Sequence, residues 1–152
     1  MSRVIVTGGA GFIGSAIIKH LQNENHDIYV IDNLSFGRRE LVDIEDSKFF
    51  IGDVTDRLNT LEIIDTVKPD WLIHLAAIHF IPYCNSHPIE CANTNIYGTM
   101  NVLEAAEKIG VSKFFFASTA AVYPITDGPI IETDPTGPLD IYGLSNLTGE
   151  RL

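Results

Sequence analysis

The sequence predicts an α/β fold: a Rossmann-type doubly wound parallel sheet with strand order 3-2-1-4-5. Three observations lead there. Short apolar runs alternate with longer segments of helical periodicity along most of the chain. The runs are apolar at successive positions, as strands are when helices cover both faces of a parallel sheet. The first run, Val4-Ile5-Val6-Thr7, stops at Gly8-Gly9-Ala10-Gly11, and a helical pattern starts at once. Right-handed crossovers between parallel strands then give the order.

The elements follow in sequence. A first strand over Arg3 to Thr7 leads into a helix over Phe12 to Asn23, with Phe12, Ile13, Ala16, Ile17 and Leu21 as its apolar side. The second strand, Asp27 to Asp32, ends in a carboxylate, and a polar loop from Asn33 to Arg39 leads to a short helix. The third strand is Lys48 to Ile51, followed by a helix over Arg57 to Val67 that carries Leu58, Leu61 and Ile64 on one side. The fourth strand is Trp71 to Leu75. A long helical stretch then ends near Ile109, with Leu103, Ala106 and Ile109 as its apolar face. The fifth strand is Phe114 to Ala117. Tyr123 to Leu139 is rich in Pro and Gly and reads as a loop, and a last helix begins at Ile141.

Composition narrows the function. A chain of 152 residues, 45% hydrophobic and 20% charged, supports one globular domain with a real core, read as a single dinucleotide-binding unit over 1–152. Twenty acidic residues against ten basic ones give a net charge of −10, which argues against nucleic acid or an acidic membrane surface as partner. No apolar run has the length of a membrane span, and Met1-Ser2-Arg3 runs straight into a strand, so the cytoplasm is the expected location. Cys84 and Cys91, if one helix carries both, stand two turns or roughly 10 Å apart, too far for a disulfide. Free thiols suit a reducing compartment.

The glycine cluster carries the chemistry. Gly8 lets the chain turn off the strand, Gly11 lets main-chain N–H groups approach an anion, and Gly14 lets the helix pack closely on the sheet. The unpaired amides and positive dipole end of the helix then face a pyrophosphate. Asp32, at the tip of the second strand, can accept hydrogen bonds from an adenosine ribose and would repel a 2′-phosphate, favouring NAD over NADP. Arg38 and Arg39 lean mildly the other way but suit a solvated turn. His79, Cys84, His87 and Cys91 fall within thirteen residues, yet their spacing matches no zinc motif, and no metal is expected. No GxxxxGK[ST] loop occurs, which argues against a nucleotide hydrolase.

An ordered set of segments runs through nearly the whole chain. It comprises Thr7 to Gly14, Asp32-Asn33-Leu34-Ser35 with Gly37-Arg38-Arg39-Glu40, and Gly52-Asp53-Val54. His74-Leu75-Ala76-Ala77, Asn95-Ile96-Tyr97-Gly98-Thr99, Ser118 to Tyr123 and Tyr142-Gly143 complete it. In these the chain resembles the extended short-chain dehydrogenase/reductase group. Within it the likeness is to the nucleotide-sugar epimerases and dehydratases, with UDP-glucose 4-epimerase the nearest branch. The resemblance implies that Phe12 and Ile13 lend amides to the pyrophosphate and that Asp32 holds the adenosine ribose. It puts Asn33 and Ser35 on the adenine side, and Asp53 and Val54 beside the adenine ring. Leu75, Ala76 and Ala77 would line the nicotinamide half, with Asn95 facing the cofactor from the following helix. Thr119 falls at the catalytic Ser/Thr position and Tyr142 at the catalytic Tyr, which also borders the cofactor. His74 reads as a buried strand residue. The implied reaction is epimerisation of a UDP-hexose through a transient keto-sugar. NAD takes the hydride and returns it to the other face, while a tyrosine takes the hydroxyl proton.

Two departures matter. The family's lysine four residues after the tyrosine is Asn146 here. An amide supplies no charge to favour tyrosinate, and an ordinary tyrosine with a pKa of about 10 is ionised only about once in a thousand at pH 7. The chain also stops at Leu152, while the family continues for roughly as many residues again, with its last strands and most of its sugar pocket. Both a fragment of a longer enzyme and a shortened reading frame fit, and a homo-oligomer is expected to cover the exposed fifth strand. The other reading is a module that holds NAD(H) without turnover.

Overall fold

The computed structural model describes all residues, 1–152. Five parallel strands form one sheet in the order β3-β2-β1-β4-β5: β1 Arg3–Thr7, β2 Asp27–Asp32, β3 Phe49–Ile51, β4 Trp71–His74 and β5 Lys113–Phe116. All four pairings are parallel, with Ile5 opposite Tyr29 on one side and Leu72 on the other. The helices are α1 Phe12–Asn23, α2 Arg57–Val67, α3 Ile81–Ser86, α4 Pro88–Ala92, α5 Thr99–Ile109 and α6 Ile141–Gly149. None is long and apolar enough to cross a membrane. The fold class and strand order are those the sequence predicts. β5 begins and ends one residue earlier than expected, and β4 stops at His74.

Two cores sandwich the sheet. Val4, Val6, Ile28 and Val30 point to α1 and meet Ile18 and Leu21. Ile5, Ile31 and Leu72 point the other way and meet Ile63, Ile64 and Val67 of α2 and Val102, Ala105 and Ala106 of α5. Alternate residues of β1 therefore serve opposite cores, which is why Val4, Ile5 and Val6 are all apolar. β5 is an edge strand, and its Phe115 is 56% exposed.

Two helix faces differ from expectation. On α1 the buried stripe is Gly14, Ile18 and Leu21, while Phe12 and Ile13 are exposed. The first turn overhangs the end of the sheet, so its apolar side chains have no strand beneath them. On α2 the stripe is Thr60, Ile63, Ile64 and Val67, a strict i, i+3, i+4, i+7 set, and Leu58 lies outside it and is exposed. Asp56 caps α2 by accepting from Asn59 N, and Gly110 ends α5 in the left-handed region at φ 67°.

The expected long helix before Ile109 is broken. His87 adopts φ −130° and ψ 59° between α3 and α4, because the Pro88 ring disfavours a helical residue before it. Asn93–Gly98 then forms a π-helical turn before α5.

His74 joins β1, β4 and α5. The Thr7 hydroxyl accepts from the amides of Leu75 and Ala76 (both 3.3 Å), so it donates to His74 Nδ1 at 2.6 Å. The Thr99 hydroxyl donates to Asn95 O at 2.7 Å, so it accepts from His74 Nε2 at 3.0 Å. This assigns a neutral ring with its proton on Nε2. Burial pulls the His74 imidazolium down to about 4. An unfolded histidine takes its proton near pH 6.5, so between those values only the unfolded chain binds it. The contribution is whole above about pH 6.5 and is lost as pH falls towards 4. Denaturant titrations should show on the order of 3 kcal/mol of stability lost to this group between pH 7 and pH 4. A His74→Gln chain should show a shallower slope over that window; identical slopes would contradict the assignment.

Candidate functional site

The site starts where no side chain fits. Gly8 sits at φ 69°, and a Cβ on it would stand 2.7 Å from Ala76 N. A Cβ on Gly14 would land on the Gly8 carbonyl oxygen and 2.7 Å from Gly9 Cα. Backbone therefore packs against backbone at the β1–α1 turn, fastened by Gly8 N donating to Ile31 O and Gly11 N to Gly8 O. Gly11 enters α1 in extended conformation with no side-chain cap, so the first-turn amides of Phe12 and Ile13 are left for an outside acceptor. These residues face the mouth of the crevice between β1 and β4, where the sheet changes direction.

The acidic side of the crevice is built from β2 and β3. Asp32 is buried, and its carboxylate accepts from Ala10 N (2.9 Å) and Leu34 N (2.8 Å), which points it across the glycine turn. Asn33 donates to Asp53 Oδ2 at 2.8 Å and accepts from Ser35 N, tying the loop after β2 to the loop after β3. Partial burial alone would raise the Asp53 carboxyl. Hydrogen bonds from the Thr55 amide and hydroxyl and from Asn33 outweigh it and hold the group below its usual range. Asn101 of α5 donates to Val54 O at 2.9 Å and fixes the next residue. Arg39 is engaged elsewhere: it donates to Ile44 O and Asp46, and its guanidinium lies 4.6 Å from the centre of the Phe49 ring.

The opposite side rises from β4, β5 and α6. Leu75, Ala76 and Ala77 leave β4 along the crevice wall, followed by Ile78 and His79. Asp140 caps α6 by accepting from Gly143 N at 2.7 Å, and Gly143 lies so close to Ala121 O that a Cβ would collide with it. That contact seats the first turn of α6 against the chain leaving β5 and puts Tyr142 and Asn146 on the wall. Asn146 is buried, and its amide donates to Tyr142 O at 2.9 Å, turned back on its own helix.

These surfaces enclose one cavity of about 780 Å³. It gathers Gly8, Gly11, Phe12, Ile13, Gly14, Asp32, Asn33, Ser35, Asp53, Val54, Leu75, Ala76, Ala77 and Tyr142. Two expected residues stand apart. Asn95 does not line the cavity; it is buried, accepting from Ile78 N (2.8 Å) and donating to Ile78 O (3.0 Å) and Ser145 Oγ (3.1 Å). The π-helical turn directs it behind the wall, where it braces the segment after β4 against α6. Thr119 is also outside the lining: its hydroxyl accepts from Ala121 N and caps a short turn over Ala120–Val122, and Ser118 lines the cavity instead.

Phe36 and Glu90, which no sequence signal singles out, also line the cavity, as do His79 and Tyr97. Phe36 packs edge-on to His79 and Tyr83, and Tyr83 donates to Glu90, which raises the phenol. Phe36 is an aromatic in a polar loop with no periodic pattern around it.

Cys84 and Cys91 require a correction. They are not two turns apart on one helix: the break at His87 folds α4 back, brings the Cα atoms to 5.2 Å, and the sulfurs form a disulfide. The inference from free thiols to a reducing compartment lapses with it. The pair is fully buried beside Ile78, with Ile141 and Tyr142 packed against it.

The profile of the NAD dependent epimerase/dehydratase family matches residues 4–152. The UDP-glucose 4-epimerase of Lacticaseibacillus casei is 37% identical over 150 residues, covering 98% of this chain and 45% of that protein. The putative UDP-glucose 4-epimerase of Methanocaldococcus jannaschii is 36% identical over 150 residues, covering 97% and 48%. Among solved structures, the Thermus thermophilus UDP-glucose 4-epimerase complex with NAD superposes with a TM-score of 0.91 at 34% identity, over 98% of this chain and 49% of that one. The Bordetella bronchiseptica enzyme WbmG in complex with NAD and UDP gives 0.88 at 37% identity, over 99% and 48%. The chain spans about half the length of the curated relatives it matches.

The cysteine pairing has a direct check. Mass spectrometry of protein denatured without reductant should show no alkylation at Cys84 or Cys91, and both should label once reductant is added. Full labelling without reductant would contradict the pairing.

Proposed function

The chain belongs to the NAD dependent epimerase/dehydratase family, and we propose that residues 1–152 form one Rossmann unit that holds NAD for 4-epimerisation of a UDP-hexose. One observation carries the reading. The glycine turn, the Asp32 carboxylate and the Tyr142 wall border a single cavity of about 780 Å³, within the range of cofactor sites. The residues fit the cofactor: the turn is a cradle that a Cβ at Gly8 or Gly14 would fill. In this reading the Phe12 and Ile13 amides take the pyrophosphate and Asp32 takes the adenosine ribose, with Asn33, Ser35, Asp53 and Val54 enclosing the adenine end. Asp32 and the engagement of Arg39 favour NAD over its 2′-phosphorylated form.

Bound NAD supplies a hydride acceptor. The rest falls to the chain. Tyr142 takes the proton of the sugar hydroxyl; family position gives Thr119 the hydroxyl that holds the substrate oxygen, while Ser118 is the hydroxyl on the cavity wall. Self-association over the open edge of β5 belongs to the same proposal.

A second reading, NAD holding without turnover, is favoured by Asn146. Its amide is bonded to the Tyr142 carbonyl and brings no positive charge to the phenol. The two readings separate by experiment. The chain with NAD is incubated with UDP-galactose or UDP-glucose and conversion is followed. Slow conversion that rises by up to about 10³-fold in Asn146→Lys and disappears in Tyr142→Phe supports the epimerase. No conversion in either the parent chain or Asn146→Lys, with NAD bound, supports the holding module.

A further inference from the structure

Resting on the reading of the cleft as a nicotinamide-dinucleotide site, we propose that it discriminates between the cofactor's two redox states and holds the oxidised form more tightly. The two forms differ by one charge, on the nicotinamide ring, so the charges around that half of the cleft decide.

The cleft offers that ring no fixed cation. Of the ten Lys and Arg residues, none lines the cavity, whereas Asp32, Asp53 and Glu90 do. Asp32 marks the adenosine half at the end of β2. The other half lies across β1, over the ends of β4 and β5, where Ser118, Tyr142 and Asn146 form the wall. Glu150 stands directly behind that wall, accepting a hydrogen bond from the Ser118 hydroxyl. It lies two turns beyond Tyr142 in the same helical segment and makes no salt bridge. Arg151, next to Glu150 in the chain, is turned to the Thr136 hydroxyl. One helical turn before Glu150, position 146 carries an uncharged amide. His79 is the one imidazole among the lining side chains.

A positive ring is therefore favoured and a neutral one is not. A unit charge felt across several ångströms of partly hydrated protein changes affinity by about tenfold, less where water and salt screen it. Ser118 and Glu150 are exposed, so the expected preference is about three- to tenfold at low ionic strength. By linkage, the bound cofactor is harder to reduce by the same factor. Glu150 and Asn146 thus act as determinants of cofactor redox state.

Titration calorimetry of the whole chain with NAD⁺ and with NADH tests this, at about pH 8.5, where imidazole side chains are uncharged. Expected are tighter NAD⁺ binding by about three- to tenfold, a smaller gap in high salt, a smaller gap in Glu150→Gln, and a reversed or abolished gap in Asn146→Lys. Glu150→Gln keeps an acceptor for Ser118 while removing the charge. Equal affinities, or tighter NADH binding, in the unaltered chain would overturn the proposal while leaving the dinucleotide site intact. Failure of both forms to bind a chain shown to be folded by circular dichroism would overturn the site itself.

Discussion

The cleft depends on the absence of two methyl-sized groups. At Gly8 and Gly14 the first strand, the chain leaving β4 and the first helix approach so closely that a Cβ would overlap main-chain atoms. That approach aims the start of α1 into the gap between β1 and β4, and it brings Ala10 N within 2.9 Å of the Asp32 carboxylate. The same turn thus exposes helix-end donors and orients the Asp32 carboxylate. An added side chain at either position would move both, because they share one piece of backbone.

Around this turn the walls are held by buried polar side chains rather than by apolar packing alone. Thr7, His74 and Thr99 tie β1, β4 and α5 together; Asn95 ties the segment after β4 to α6; Asn101 ties the loop after β3 to α5. No buried side-chain nitrogen or oxygen lacks a partner. A satisfied network of this kind specifies one geometry, since each misplaced member leaves an unpaired group in a dry interior. Walls held in this way lower the ordering cost of binding.

The strands, their order and the glycine turn were legible because they rest on local signals: unbroken apolar runs, a strand–glycine–helix junction, and a carboxylate closing the second strand. The faces of α1 and α2 were less so. Phe12, Ile13 and Leu58 are apolar yet exposed, because burial depends on where the sheet ends and not on periodicity alone. The helix break at His87 was signalled by Pro88, but its consequence, the meeting of Cys84 and Cys91, is a matter of how two short helices fold back on each other. Asn95 sits in the expected segment, but a π-helical turn rotates it behind the wall. Thr119 and Ser118 are neighbours, and only the backbone direction at the end of β5 decides which one lines the cavity.

Turn geometry and function meet at the amides of Phe12 and Ile13, and two-dimensional NMR of the labelled chain during titration with NAD observes them directly. These two resonances should shift together and saturably, with the largest changes in the spectrum, as the diphosphate takes up the free donors of the first helical turn. Saturable binding that leaves them in place, or no binding to the folded chain, would contradict the account.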